Sequence, residues 1–152
     1  MSANQQAMQQ LQANSFVKAL QRLFMRGHVS LYRLTGGSLG GKTTLLLTTI
    51  GRKSGQERDT PLFHFRDGDR YIVIASNGGA TKHPTWWLNL KANPRARIQI
   101  GKQIIPVTAQ QAIGDERKRL WSIIEEKYTN FVEYQKRTER EIPVIILTPD
   151  GN

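Results

Sequence analysis

Cysteine is absent from the 152 residues of the chain. Its absence excludes a disulfide framework, a thiolate metal site and a thiol nucleophile, and gives no support to an oxidising compartment. No apolar run approaches the roughly 20 residues that a membrane span needs, and the first residues lack the basic start and apolar stretch of a secretory signal. We therefore expect a cytoplasmic protein.

Acidic residues are missing from two long stretches of the chain. None occurs before Glu57 and none lies between Asp69 and Asp115, while the net charge of the whole chain is +10. The basic residues in these two stretches are Lys18, Arg22, Arg26, Arg33, Lys42, Arg52, Lys53, Arg70, Lys82, Lys91, Arg95, Arg97 and Lys102. Such a field concentrates anions at the surface, which fits nucleic acid, an anionic membrane leaflet or a polyanionic small molecule. Charge alone does not choose among them.

Hydrophobic patterning predicts one domain of mixed, mainly β structure. Residues 1–14 are uncharged and rich in Gln, Asn and Ala, so we expect a flexible tail followed by a single domain over residues 15–152. Strands are predicted at 45–50, 58–65, 71–75, 97–100, 104–108 and 142–147, and helices at 84–90, 115–128 and 131–136. Strands with inserted helices indicate an α+β fold built on a closed or partly closed barrel.

The segment Phe16–Phe24 has apolar residues at helical spacing with basic residues between them. A basic amphipathic helix of this kind either packs on its own domain or lies on an anionic membrane surface. Peripheral contact with the inner face of the cell membrane therefore stays open beside a wholly cytoplasmic location.

The segment Gly36–Thr43 matches the phosphate-binding pattern G-x-x-x-x-G-K-[ST]. In a nucleotide-binding loop of that type, the glycines follow a buried strand and open a helix. Here helical spacing precedes the glycines, and the β-branched run Thr43–Ile50 predicts a strand after them. We therefore interpret the segment as a connector, without ATPase or GTPase function.

Two later segments are better suited to bind an anion. In the first, a predicted strand ends in Gly51-Arg52-Lys53-Ser54-Gly55, and Arg58 follows on the next strand. Glycine lets a backbone approach an anion closely, and the basic groups supply charge-assisted hydrogen bonds to phosphate or carboxylate. In the second, Ser76–Gly79 leads through Lys82 into a helix opened by Pro84, so free N–H groups and the helix dipole can converge on a ligand.

Three patterns in this region carry a family resemblance. They are T-T-x-G-R-K-S-G-x-x-R-x-x-P-L, A-S-x-G-G-x-x-K-x-P-x-W-x-x-N-L-x-A-N-P and I-P-V-I-I-L, and they span Leu45 to Pro149 in order. In these patterns the chain resembles the deazaflavin-dependent nitroreductase family, class A flavin/deazaflavin oxidoreductases of actinobacteria. The resemblance implies a split β-barrel of the FMN-binding type that binds coenzyme F-420, an 8-hydroxy-5-deazaflavin with a polyanionic phospholactyl and oligoglutamyl tail. It also implies a reductase that passes hydride to a quinone, an enone or a nitro compound.

The resemblance also implies roles for individual residues. The side chains of Arg52, Lys53, Arg58 and Lys82 and the backbone N–H groups of Asn77, Gly78 and Gly79 would hold the phosphate and tail. The residues lining the deazaflavin or its acceptor would be Pro61, Leu62, Ala75, Ser76 and Trp86. The aromatic residues Tyr128, Phe131 and Tyr134 would cover the substrate, and Tyr128, Tyr134 or Ser76 would protonate or polarise the acceptor. Their spacing of three places the three rings on one side of a helix.

Two positions depart from the family pattern. Phe131 is often tyrosine in the nitroreductases, and phenylalanine cannot donate a proton or a hydrogen bond to a nitro group, which disfavours nitroimidazole activation. Asn77 stands where many relatives have lysine, which removes one charge from the anion site.

Three alternative functions stay open at this point. The same barrel could bind FMN in place of F-420, or carry a deazaflavin without turnover. A basic nucleic-acid binder is less favoured, because such proteins usually interleave aromatic and basic residues on a strand face, whereas Trp86 and Trp87 lie on the predicted helix.

Overall fold

The computed structural model describes residues 42–151. Its strands are β1 (Thr44–Ile50), β2 (Glu57–Phe63), β3 (Phe65–Asp67), β4 (Arg70–Ile74), β5 (Arg95–Ile100), β6 (Gln103–Gln111) and β7 (Val144–Pro149). Its helices are α1 (Thr85–Ala92), α2 (Gly114–Lys127) and α3 (Thr129–Lys136), and a 3₁₀ turn covers Asn77–Gly79. No helix in residues 42–151 combines the length and the apolar character that crossing a bilayer requires.

The predicted strands and helices are confirmed, with bounds that shift by up to three residues and with local differences at His64, Pro84 and Tyr128. The single strand predicted over 58–65 is divided at His64 into β2 and β3. Pro84 is the residue before α1, not its first helical residue, because its ψ of 147° is extended. The segment that follows Lys42 is the strand β1, so the arrangement of a nucleotide-binding loop is excluded. The predicted tail over 1–14, the helix over 16–24 and residues 36–41 lie outside the described residues.

The seven strands form one antiparallel sheet in the order β2-β1-β5-β6-β7-β4-β3. The two edge strands, β2 and β3, are consecutive in the chain and are separated only by His64. Because one residue can span only about 3.5 Å, the end of β2 and the start of β3 lie close together, and the sheet curls into the predicted, partly closed barrel. His64 is buried at this closure, and its burial lowers the pKa of the imidazole.

The interior of the barrel is filled by alternate residues of its strands together with one face of α1. The strand residues include Leu45 and Leu47 of β1, and α1 adds Trp86, Trp87 and Leu90 to the same cluster. Successive side chains of a strand point to opposite faces, and burying each such Leu contributes about 2 kcal/mol. Packing of the two tryptophans therefore fixes α1 against the barrel.

The opposite face of β4 and β7 is covered by α2 and α3. Ile72, Ile74, Val144 and Ile146 of the two strands pack there on residues that include Leu120, Ile124 and Phe131. A charged network holds α2 in place, since Arg119 donates to both carboxylate oxygens of Asp67 at 2.9 and 2.8 Å. Hydrogen bonds from Arg119 and then from Arg70 lower the pKa of Asp67.

Candidate functional site

A cleft of about 380 Å³ lies between the turn that joins β1 to β2 and the start of α1. Its lining residues are Gly51, Arg52, Lys53, Ser54, Arg58, Asp59, Thr60, Thr85, Trp86 and Asn89. The cleft thus brings together three of the four cationic residues predicted to bind an anion, together with Trp86. Lys82, the fourth, is exposed and does not line it.

Backbone hydrogen bonds give the β1–β2 turn its shape. The N–H of Gly51 donates to the carbonyl of Gln56 at 2.7 Å, and the N–H of Gly55 donates to the carbonyl of Gly51 at 2.8 Å. A Cβ atom at position 51 would lie 2.6 Å from Oγ of Ser54 and 3.2 Å from the Gln56 carbonyl oxygen, so a side chain there would force Ser54 and the turn to shift. The turn is therefore closed on itself and holds Arg52 and Lys53 at its tip.

The cations of the cleft lack acidic partners. Arg52, Lys53 and Arg58 are exposed, and none has a carboxylate partner within residues 42–151. By contrast, Arg97 on the neighbouring strand β5 is neutralised by a two-pronged contact with Glu57, at 2.5 and 2.7 Å. The cleft is lined by these three cations and one carboxylate, Asp59, so its potential is net positive and attracts anions.

The start of α1 adds to this potential. Thr85 and Trp86 line the cleft, and the first turn of the helix contains no acidic residue. The first N–H groups of a helix have no partner inside it, and the positive end of the helix dipole lies there. The cleft is thus positive from two independent sources, the three side chains and the helix terminus.

Asn89 joins the two sides of the cleft and was missed in the sequence-based prediction of site residues. Its side chain is 2% exposed. Its Oδ1 accepts a hydrogen bond from the backbone N–H of Arg52 at 3.1 Å, and its Nδ2 donates to Oγ1 of Thr49 at 3.2 Å. The sequence did hold a signal, because Asn89 follows Trp86 by three residues and is therefore a polar residue on the buried side of α1.

We predict that Asn89→Ala destabilises the protein by about 1–3 kcal/mol, because the substitution leaves buried hydrogen-bonding groups unsatisfied. It also releases the basic turn from α1, so anion affinity is expected to fall with stability. Urea unfolding measures the first effect and cofactor titration the second. Asn93→Ala, at the end of the same helix, is the matched control; equal losses in the two variants would contradict the assigned role.

The segment between β4 and α1 has an unusual backbone. Asn77, Gly78 and Gly79 all have positive φ, at 47°, 64° and 82°. Asn77 is stabilised in this conformation because its Nδ2 donates to the carbonyl of Lys82 at 3.0 Å. The N–H of Gly79 already donates to the carbonyl of Ser76 at 2.9 Å. The prediction that this N–H holds the ligand is therefore not supported by the geometry, whereas the N–H groups of Asn77 and Gly78 have no acceptor within residues 42–151.

Arg140, also missed in the sequence-based prediction, fastens this segment. Its guanidinium donates to the carbonyls of Ser76 at 2.8 Å, Ala80 at 2.9 Å and Ala75 at 3.3 Å. It also lies 3.2 Å from Nδ1 of His83. Burial lowers the pKa of Arg140, and burial followed by the charge of Arg140 lowers the pKa of His83. The neutral imidazole can accept this contact, which protonation would turn into a repulsion.

The three aromatic residues predicted to cover the substrate do not lie on one helix. Tyr128 is a non-helical residue between α2 and α3, whereas Phe131 and Tyr134 belong to α3. Phe63 brings them together, because its ring centroid is 4.8 Å from that of Tyr128 and 5.4 Å from that of Phe131. Phe131 is buried and packs on Tyr134 at 5.7 Å. The two tyrosines are half-buried.

The remaining predicted residues do not line the cleft, and their side chains have different orientations. Leu62 is paired with Leu45 and packs in the barrel interior, so the side chain of Pro61, its neighbour on the strand, points to the other face. Both side chains cannot line one pocket. Ala75 and Ser76 are buried, with their carbonyls bound to Arg140.

Comparisons with known proteins agree with one another. The family model described as F-420H(2)-dependent quinone reductase matches residues 24–149. An F-420H(2)-dependent quinone reductase of Mycobacterium tuberculosis is 42% identical over 132 residues, which are 82% of this chain and 89% of that protein. The solved structure of an F-420-H2 dependent reductase, FDR-A, has a TM-score of 0.64 at 41% identity and covers 70% of this chain and 94% of its own. A structure described as a domain-swapped dimer has a TM-score of 0.67 at 34% identity, covering 89% of this chain and 98% of its own.

Proposed function

The chain belongs to the F-420H(2)-dependent quinone reductase family, and on this premise we propose that it transfers hydride from reduced coenzyme F-420 to a quinone. One observation in the structure supports the choice of cofactor most directly. Arg52, Lys53 and Arg58 converge without acidic partners on a cleft that also contains the start of α1. A cofactor with a polyanionic tail fits such a surface.

The residues of the cleft would have separate roles in binding. The guanidinium and ammonium groups of Arg52, Lys53 and Arg58 would bind phosphate and carboxylate oxygens through charge-assisted hydrogen bonds. Trp86, buried in the barrel and lining the cleft, supplies a rigid apolar wall. Lys82 lies outside the cleft, on the segment before α1, where it would contact only a part of the ligand that extends beyond the cleft. When bound, the reduced deazaflavin supplies the hydride, and the protein supplies alignment.

The acceptor would lie at the aromatic residues around Phe63. Hydroxyl groups are available there on Tyr128 and Tyr134, each half-buried, to donate a proton or hydrogen bond to a carbonyl oxygen of the acceptor. Ser76, a buried residue two positions after β4, is the third candidate donor. Phe131 has no hydroxyl group and is packed between Phe63 and Tyr134, so it serves as an apolar contact. An acceptor that needs no donor at this position, such as a quinone or an enone, is therefore favoured over a nitro compound.

The decisive test combines binding with turnover. Purified protein is titrated with F-420 and, separately, with FMN, and oxidation of reduced F-420 is then followed with menadione, an enone and a nitroimidazole as acceptors. We expect saturable binding of F-420 and the fastest turnover with the quinone. Tight binding of FMN alone would contradict the choice of cofactor, and F-420 binding without turnover on any acceptor would indicate a carrier.

A further inference from the structure

Arg140 contacts the backbone of the β4–α1 segment at three separate carbonyls, and its charge has no carboxylate partner within residues 42–151. Partial burial removes water from this guanidinium, which costs free energy unless hydrogen bonds to the protein compensate. Its function is therefore to be sought in the segment that it binds.

Because the peptide bond is planar, binding of a carbonyl also orients the N–H group of the next residue. In a trans peptide, the carbonyl of one residue and the N–H of the next point in opposite directions. Arg140 binds the carbonyls of Ala75, Ser76 and Ala80, so the N–H groups of Ser76, Asn77 and Thr81 point away from it. None of these three N–H groups has an acceptor within the described part of the chain.

The position of Arg140 is itself fixed by α3. Gln135 donates from Nε2 to the carbonyl of Arg140 at 2.8 Å, and its Oε1 accepts the N–H of Ile142 at 2.9 Å. The same helix carries Phe131 and Tyr134. A continuous set of contacts thus runs from the helix of the aromatic residues, through Arg140, to the segment that leads into α1 at the cleft.

We propose that Arg140 is a positioning residue that turns the N–H groups of Ser76, Asn77 and Thr81 toward the bound anion and holds this segment in register with the aromatic helix α3. The proposal rests on the proposed function for the identity of the anion, the phosphate of F-420. The positive charge of Arg140 adds to the potential that attracts anions. Its contacts with the three carbonyls determine the direction in which the N–H groups point. Removing Arg140 is expected to weaken cofactor binding more than it slows hydride transfer.

The test compares Arg140→Met and Arg140→Lys with Arg137→Met. Arg137 is the matched control, because it carries the same charge and packs beside the same segment at Gly79, but donates only one hydrogen bond there, 3.5 Å long, to the carbonyl of Gly78. We expect Arg140→Met to raise the Kd for F-420 by about tenfold to a hundredfold, with kcat at saturating cofactor within about threefold of wild type. Arg140→Lys should resemble Arg140→Met, because one ammonium group cannot reach three separate carbonyls.

Several results would overturn the proposal. One is an unchanged Kd for F-420 in Arg140→Met, and another is an equal loss of F-420 affinity in Arg137→Met. A fall in kcat and thermal stability with no change in Kd would indicate a merely structural role. Full recovery in Arg140→Lys would show that charge alone matters and would contradict the orienting role.

A second measurement separates this proposal from the proposed function. Inorganic phosphate is titrated into isotope-labelled protein, and amide NMR signals are followed. The signals of Ser76, Asn77 and Thr81 should shift in the wild type and stay unchanged in Arg140→Met. If the wild type shows these shifts but neither binds nor oxidises reduced F-420, the proposed function fails and the role of Arg140 stands. If the wild type binds F-420 and these signals stay unchanged on adding phosphate, the role of Arg140 fails.

Discussion

Combined replacement of Lys53 and Arg58 by glutamate is expected to abolish binding of reduced F-420 while the protein stays folded. Each substitution replaces a cation that would attract the anionic tail with a carboxylate that would repel it. Neither Lys53 nor Arg58 forms an ion pair with a carboxylate of the described residues. Charge pairs of this kind commonly change affinity by more than about a hundredfold. Both side chains are exposed and neither belongs to the hydrophobic clusters, so packing is not disturbed.

The matched control carries the same change of net charge away from the cleft. Lys102 in the β5–β6 turn and Lys118 on α2 are exposed and do not line it. Lys102→Glu with Lys118→Glu should retain F-420 affinity close to that of wild type, after allowance for the long-range field, which added salt screens. Titration of both double variants at two salt concentrations measures the difference. Equal affinities would place the anionic tail elsewhere on the protein.

The second large effect is expected at Gly79, where a side chain has no room. A Cβ atom there would lie 2.6 Å from the backbone carbonyl oxygen of Tyr134 and 3.0 Å from Cβ of Arg137, and φ is also positive. Gly79→Ala therefore combines a strained backbone with a collision against the backbone of α3. We expect destabilisation of roughly 2–5 kcal/mol, together with displacement of the segment from α3.

Gly78 provides the control for this prediction. It has a similar φ of +64°, but a Cβ atom there would meet nothing within 4 Å. Gly78→Ala should therefore lose only the cost of the left-handed conformation, about 1–2 kcal/mol. Urea unfolding of the two variants gives both values. Equal stability in the two would mean that α3 moves aside at little cost and that its contact with the segment is loose.

The sequence was sufficient to predict the strands and the barrel, because both depend on local patterns. The short apolar run of β4, the acid-rich start of α2 and the Gly-Lys turn between β5 and β6 are each encoded by neighbouring residues. The break at His64 was not predicted, since its cause is the closure of the barrel, which brings together strands that are distant in the sheet. The placement of Tyr128 was wrong for a similar reason: periodic spacing continues across the non-helical residue that separates α2 from α3.

For the candidate site, residue type was more predictable than geometry. Arg52, Lys53 and Arg58 were predicted from charge and glycine spacing, and the structure brings them together at one cleft. Arg140 could not have been singled out, because it lies more than 50 residues from the carbonyls that it binds and no local pattern marks it. Asn89 is an intermediate case. Its polar position on the buried side of α1 can be recognised from the sequence, but its two hydrogen-bond partners lie on β1 and in the β1–β2 turn.

The uncompensated cations of the cleft also link cofactor supply to the lifetime of the protein. Like charges held close together oppose folding, and a ligand that binds only the native state stabilises it more as the ligand concentration rises above the Kd. A newly made chain would therefore be least resistant to unfolding and proteolysis when polyanions are scarce, and most resistant once its coenzyme is abundant. The three side chains that would bind the coenzyme would then also make the amount of surviving protein depend on the amount of coenzyme in the cell.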